Sequence, residues 1–172
     1  MSRGNEFVKG VWKQAPLIHT PQELTHIAKS LTSKDHPELG GEHGATGNLN
    51  DPNNNQLAYM GGNKESAAGE CDRACRYAHD HLPHGSHVVE YRRDHTGKDE
   101  FANHYVHHVP TTEGMYAVDY TQRQFNAKAK FPVVEKMGKF QNRKSMSKFD
   151  TMHSDRVDLY RADKEGNIYP EQ

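Results

Sequence analysis

Between Gly40 and Asn63, glycine and asparagine supply half of the residues. Glycine is the costliest residue to order, and asparagine bonds its own backbone in turns. Such a stretch reads as a long loop, so any core has to come from the segments on either side. Loops of that length serve either as flaps over an active site or as linkers. The chain divides accordingly. Residues 1–63 read as an N-terminal arm, one helix and this loop. Residues 64–172 read as the domain proper, ending in a basic segment.

The segments that can pack are short. Thr20-Pro21-Gln22-Glu23 offers a cap, a proline at the first helical position and a glutamate to close a capping box. Leu24, Ile27, Ala28 and Leu31 then share one face of a helix expected to end near Ser33. Cys71, Ala74, Cys75, Ala78 and Leu82 repeat that spacing within Glu70–Leu82, which Pro83 ends. Val88–Tyr91, Ala102–Val109 and Met115–Tyr120 read as strands. The last two are joined by a hairpin over Pro110–Gly114, and Phe131–Val134 reads as a short extended piece. A final hairpin is expected from Val157–Arg161 and Asn167–Tyr169, and an arm before Thr20 packing through Trp12. Helices followed by mostly antiparallel strands predict an α+β fold.

Composition narrows the function. Only 33% of the 172 residues are apolar, against about 45–50% on a slightly wider definition in ordinary domains. Much of the chain is therefore surface, loop or partner-bound segment. The formal charge of -1 argues against a dedicated nucleic-acid binder. No apolar run reaches the ~18–20 residues of a membrane span, and no Sec-type leader opens the sequence. The expectation is a protein of the producing or target cell's cytoplasm, or one delivered by a secretion system or virion. Cys71 and Cys75 are too few for a disulfide scaffold and lie one helical turn apart, which disfavours a bridge.

Cys71 sits where its helix begins, and a helix N-terminus favours a thiolate. A nucleophilic thiol also needs a histidine, and the histidine needs a polar group to fix its tautomer. With Thr111 and Thr112 at the hairpin tip, His104 faces Asp119 across the strands, His108 faces Met115 and His107 points to the opposite side. Cys75, inside the apolar face, is expected to fill the core. The 13 histidines invite a metal reading, but His79-x-His81 diverges on a helix and no metal-binding spacing occurs. No metal and no cofactor are expected. From Ala127 to Phe149 seven basic residues stand against the single acid Glu135, interleaved with Phe131, Phe140 and Phe149. That run fits phosphate contact in principle, but fits a solvated face or an acidic protein better.

Gly69-Glu70-Cys71, the helix, the His104 strand and then Ala117-Val118-Asp119-Tyr120-Thr121-Gln122-Arg123-Gln124-Phe125 together resemble the papain-like fold toxin domains of bacterial polymorphic toxins. Some of these are glutamine deamidases. In that family a Val-Asp-Tyr/Leu-Thr-x-Arg-Gln-Phe segment follows the histidine strand, and a Phe/Tyr-Pro-x-Val segment often comes next, as Phe131-Pro132-Val133-Val134 does here. The resemblance covers about residues 66–140. It implies a papain-like fold, with N-terminal helices, one carrying the cysteine, packed on a small antiparallel sheet. It implies Cys71 as nucleophile, His104 as general base and acid, and Asp119 as the residue orienting the imidazole. It implies a toxin or effector acting on protein glutamine side chains or peptide bonds, with a protein substrate and a cognate inhibitor or larger assembly as partners. Papain-like enzymes usually place a glutamine ahead of the cysteine for the oxyanion hole. Here Asn63 and Glu65 occupy that neighbourhood, leaving Asn63 and the Cys71 backbone N–H as candidate donors. The alternative is a non-catalytic structural or cargo component of a phage or secretion assembly. Of the Thr121–Phe125 run, little beyond shaping the fold is expected.

Overall fold

A computed structural model describes residues 5–8, 11–14, 18–33, 55–93 and 103–154. The expected hairpin of Val157–Arg161 with Asn167–Tyr169, and the side chain of Trp12, lie outside the described residues. The fold is α+β. Two short strands, β1 (Asn5–Val8) and β2 (Val11–Gln14), pair antiparallel with each other. Among the described residues four helices follow: α1 (Pro21–Ser30), α2 (Gln56–Gly61), α3 (Lys64–Ala67) and α4 (Cys71–His79). The main sheet holds β3 (His87–Arg92), β4 (Asn103–Thr111), β5 (Gly114–Asp119), β6 (Val133–Lys136) and β7 (Thr151–Ser154). Its order is β6-β5-β4-β3-β7, antiparallel throughout. Helix α5 (Met137–Gln141) lies between β6 and β7. Among the described residues no helix is long and apolar enough to cross a membrane.

The Thr20 hydroxyl accepts from the Glu23 backbone N–H at 3.2 Å, and the Glu23 carboxylate accepts from the Thr20 N–H at 3.4 Å. This reciprocal cap starts α1. The Gly/Asn-rich stretch is not loop throughout: its end folds into α2. Asn55 makes that possible. Its side-chain oxygen accepts from the Ala58 N–H at 3.0 Å, and its amide donates to the Leu31 and Ser33 carbonyls at 2.8 and 3.0 Å. One side chain therefore starts α2 and caps the end of α1. Gly61 closes α2 against the sheet, where a Cβ would lie 2.0 Å from the Tyr120 carbonyl oxygen.

The sheet has apolar packing on both sides. On one, Leu24, Ala28, Leu57, Met60, Ala74 and Ala78 pack against Val109, Val118 and Tyr120. The Tyr120 hydroxyl ties this side to α1 by donating to the Ala28 carbonyl at 2.7 Å. On the other, Val89, Tyr91, Val106, Ala117 and Val133 meet Phe140 and Met146 from the C-terminal segment. Strand β7 has no counterpart in the sequence reading: Thr151-Met152-His153-Ser154 is exposed along its length and carries no alternation.

The hairpin register differs from expectation. Thr111 pairs with Gly114 and His108 with Ala117, so Thr112 and Glu113 form the loop, and Met115 faces Pro110 rather than His108. The pairing is displaced by two residues. Because strand side chains alternate with period two, that shift keeps every residue on its face. His104 and Asp119 are thus diagonal neighbours on one face instead of a direct pair.

Candidate active site

The site forms where β4 begins, β5 ends and α4 starts. Gly69, at φ +74°, turns the chain into α4, so Cys71 is the first helical residue. The Glu70 side chain makes no cap bond and pairs instead with Arg73 at 3.1 Å. The Cys71 sulfur lies 4.0 Å from the Asn103 carbonyl oxygen, beside the start of β4. The next residue is His104, whose protonated form the Cys71 side chain favours.

His104 Nε2 donates to Asp119 Oδ2 at 2.7 Å, and both side chains are fully buried. The carboxylate is held on both oxygens. Asp119 Oδ1 accepts from the Thr121 backbone N–H at 2.8 Å, and Oδ2 accepts from the Gln122 amide at 2.8 Å. Burial alone would raise the Asp119 pKa. The His104 charge and these donors more than reverse that, holding its pKa below the usual carboxylate range. Burial likewise disfavours imidazolium at His104. The Asp119 charge, its hydrogen bond and the Cys71 side chain overcome it and push the imidazole up to about 10. A cationic imidazole thus stands beside a thiol and against a fixed carboxylate.

Residues expected to do no more than shape the fold support this pair. Gln122 passes its own constraint outward, because its carbonyl oxygen accepts from the Ser145 hydroxyl. The Gln124 amide reaches His104 Nδ1 at 3.1 Å. An amide can serve either protonation state there, its NH2 facing a neutral nitrogen or its oxygen facing a protonated one. Among the described residues Arg123 pairs with no carboxylate. It donates to the Ala129 and Gly62 carbonyls at 3.0 and 2.6 Å and lies over Phe131. The signal that could have pointed to these glutamines is a polar run without strand alternation immediately after a strand-end aspartate.

His104 is roofed by aromatic rings. Phe125 meets it edge-on at 4.9 Å and Phe149 stacks on it at 6.1 Å, with the Lys148 ammonium 4.2 Å from the Phe125 centroid. Cys71, at 7% exposure, is the most accessible of the three; His104 is at 0% and Asp119 at 2%. Excluding water in this way strengthens the charge pair.

Asn63 is not brought to the sulfur by any hydrogen bond. It caps α3, accepting from the Ser66 N–H at 2.8 Å, and is exposed. Cys75 packs with Val88, and burial pushes its thiol up. His107 and His108 are also buried, but their partners are neutral. His107 Nε2 lies 3.0 Å from His79 Nδ1, and His108 Nε2 lies 2.8 Å from the Tyr91 hydroxyl. Burial, with neighbouring histidines, lowers them to about 3 and about 4. Among the described residues no three His, Cys, Asp or Glu side chains are grouped to hold a metal ion.

Comparison with protein-family models, with curated proteins and with solved structures finds no match for this chain.

Proposed function

We propose that this protein is a cysteine-dependent amidohydrolase of papain-like fold. It acts on glutamine side chains or peptide bonds of a protein substrate, as a toxin or effector. The observation that carries the reading is the buried His104–Asp119 pair, 2.7 Å apart, beside a thiol at a helix start. The resemblance of residues 66–140 to papain-like toxin domains supports it, and so does the α+β architecture.

In this mechanism the Cys71 thiolate attacks the carbonyl carbon of a carboxamide. The developing oxyanion meets the Cys71 backbone N–H and the Gln124 amide, which takes the place first considered for Asn63. The C–N bond breaks as His104 gives its proton to the departing nitrogen. Ammonia leaves a glutamine side chain, and an amine leaves a peptide bond. The resulting thioester is cleaved by water whose proton His104 takes, breaking the C–S bond and leaving a carboxylate. Asp119 holds the imidazole throughout at Nε2, and Nδ1, which faces the Gln124 amide, is the nitrogen left to exchange protons with the reacting groups.

Intact-mass analysis of proteins incubated with the wild-type and Cys71→Ala chains tests the reading. Deamidation adds about one dalton per site and proteolysis gives fragments. The change is expected with wild type alone. The burial of His104 under Phe125 and Phe149 favours a second reading, in which the domain is a non-catalytic component of a phage or secretion assembly. No thiol-dependent product from any protein mixture would select it.

A further inference from the structure

The basic segment after the site has a one-sided surface. Its single acid, Glu135, is taken up internally: Arg143 grips it with two bonds of 2.6 and 2.8 Å, and Lys139 stands 3.9 Å away. Lys128, Lys130, Lys136 and Lys144 are exposed and make no ion pair among the described residues. Lys144 lines a cleft of about 420 Å³ together with Phe125, Asn126, Arg143 and Ser145, and Lys128 adjoins it, its backbone N–H donating to Asn126 Oδ1 at 3.1 Å. Two of its walls belong to the site. Phe125 packs edge-on against the His104 ring, and Ser145 bonds Gln122, which bonds Asp119.

We propose that this cleft and its lysine rim dock an acidic stretch of the substrate polypeptide, so that glutamates or aspartates flanking the reacting residue select the substrate. The proposal rests on the amidohydrolase reading above. Charge complementarity favours a polyanion, and the aromatic groups favour a peptide over a nucleic acid. Single-stranded nucleic acid is held by bases stacking on open rings. Here the Lys148 ammonium covers Phe125 at 4.2 Å, and the His104 ring occupies another side of it. What remains for a ligand is charge and amide groups, which suits carboxylates: Lys144 on the rim and Asn126 in the wall.

The test measures equilibrium binding to the full chain carrying Cys71→Ala, so that turnover cannot interfere. Three labelled probes are compared: a short peptide with one glutamine flanked by glutamates, the same peptide flanked by serines, and a single-stranded oligodeoxynucleotide. The glutamate peptide is expected to bind tightest and to weaken with salt. Lys128→Glu with Lys144→Glu should weaken it about tenfold, whereas Lys29→Glu, an exposed charge reversal on α1, should leave it unchanged. Equal binding of the two peptides, insensitivity to the double reversal, or tighter binding of the oligonucleotide overturns the proposal. Turnover by the wild-type chain separates the two readings. Selective binding with no ammonia or fragment released keeps the docking surface and removes the enzyme. Equal turnover of both peptides keeps the enzyme and removes the docking surface.

Discussion

His104 and His107 lie three residues apart on β4, point to opposite faces of the sheet and are both fully buried, yet they are driven in opposite directions. His104 meets a carboxylate and is held as a cation, raised to about 10. His107 meets another imidazole, His79, and is held neutral, lowered to about 3. Burial is the same for both, so burial does not decide the charge; the partner does. One strand thus carries a charged imidazole on the face toward the C-terminal segment and a neutral one on the face toward α4.

The largest expected effect breaks the comparison at the chemistry. His104→Ala should cut thiol-dependent turnover by about a hundredfold to ten-thousandfold, the usual contribution of a general acid–base. His107→Asn should leave turnover within a few fold. Ammonia release at fixed protein concentration measures both. If His107→Asn were as damaging as His104→Ala, the assignment of the acid–base role to one face would be wrong.

Removing the partner instead of the histidine tests stability. Asp119→Ala leaves a buried imidazolium unpaired and should cost about 3–5 kcal/mol in urea unfolding. Asp119→Asn keeps the size, and its oxygen can still accept from Nε2. It should unfold more readily than wild type but less so than Asp119→Ala, because the charge is lost while the hydrogen bond is kept, and it should lose activity only partly, well short of about ten-thousandfold. Loss of structure in Asp119→Asn would show that the carboxylate's charge, not its geometry, holds the site.

The pH dependence should separate the two faces within one protein. His104 binds its proton more tightly folded than unfolded, so its stabilisation is complete below about pH 6.5 and fades as pH rises through about 10. His107 and His108 bind theirs less tightly folded. Their burden is absent above about pH 6.5 and grows as pH falls toward about 4 and about 3, where unfolding takes up protons. Histidine resonances followed by NMR, with unfolding free energies across the same range, check the signs. A His107 that titrates near 6.5 would contradict its burial.

The smallest effect is at the end of the supporting chain. Ser145→Ala removes one hydrogen bond to Gln122, a net change of about 0.5–1.5 kcal/mol. Turnover should fall a few fold, with most of the loss in kcat and little in KM, because Ser145 acts through Gln122 and Asp119. An effect in KM alone would show that Ser145 acts through the docking cleft it lines and not through Gln122.

Much of this arrangement is readable from local chemistry. The start of α1 follows from Thr20 and Glu23, and the apolar face of α4 from its spacing, because both depend on residues a turn apart. The faces of His104 and Asp119 follow from alternation, which survives the two-residue displacement of the hairpin. The displacement itself was not legible, since Thr111, Thr112 and Glu113 all tolerate a turn and only pairing across the sheet selects one register. Helix α2 was hidden in a stretch that reads as loop. Its cap, Asn55, acts on carbonyls of Leu31 and Ser33, more than twenty residues away in the chain. Strand β7 was hidden because an exposed edge strand has no face to bury and so no pattern to show.

The sequence by itself determined the class of fold, the helix that presents Cys71, and the side of the strand on which His104 lies, because period and capping act over a few residues. Only the tertiary structure decided which histidine is charged, which glutamines hold the pair, and that Asn63 serves as a helix cap. Those outcomes depend on the atoms around a side chain after burial, and these come from β5, the turn after it and the Lys144–Phe149 segment. In a medium of low dielectric, a single carboxylate at 2.7 Å outweighs the desolvation that governs its neighbour three residues on.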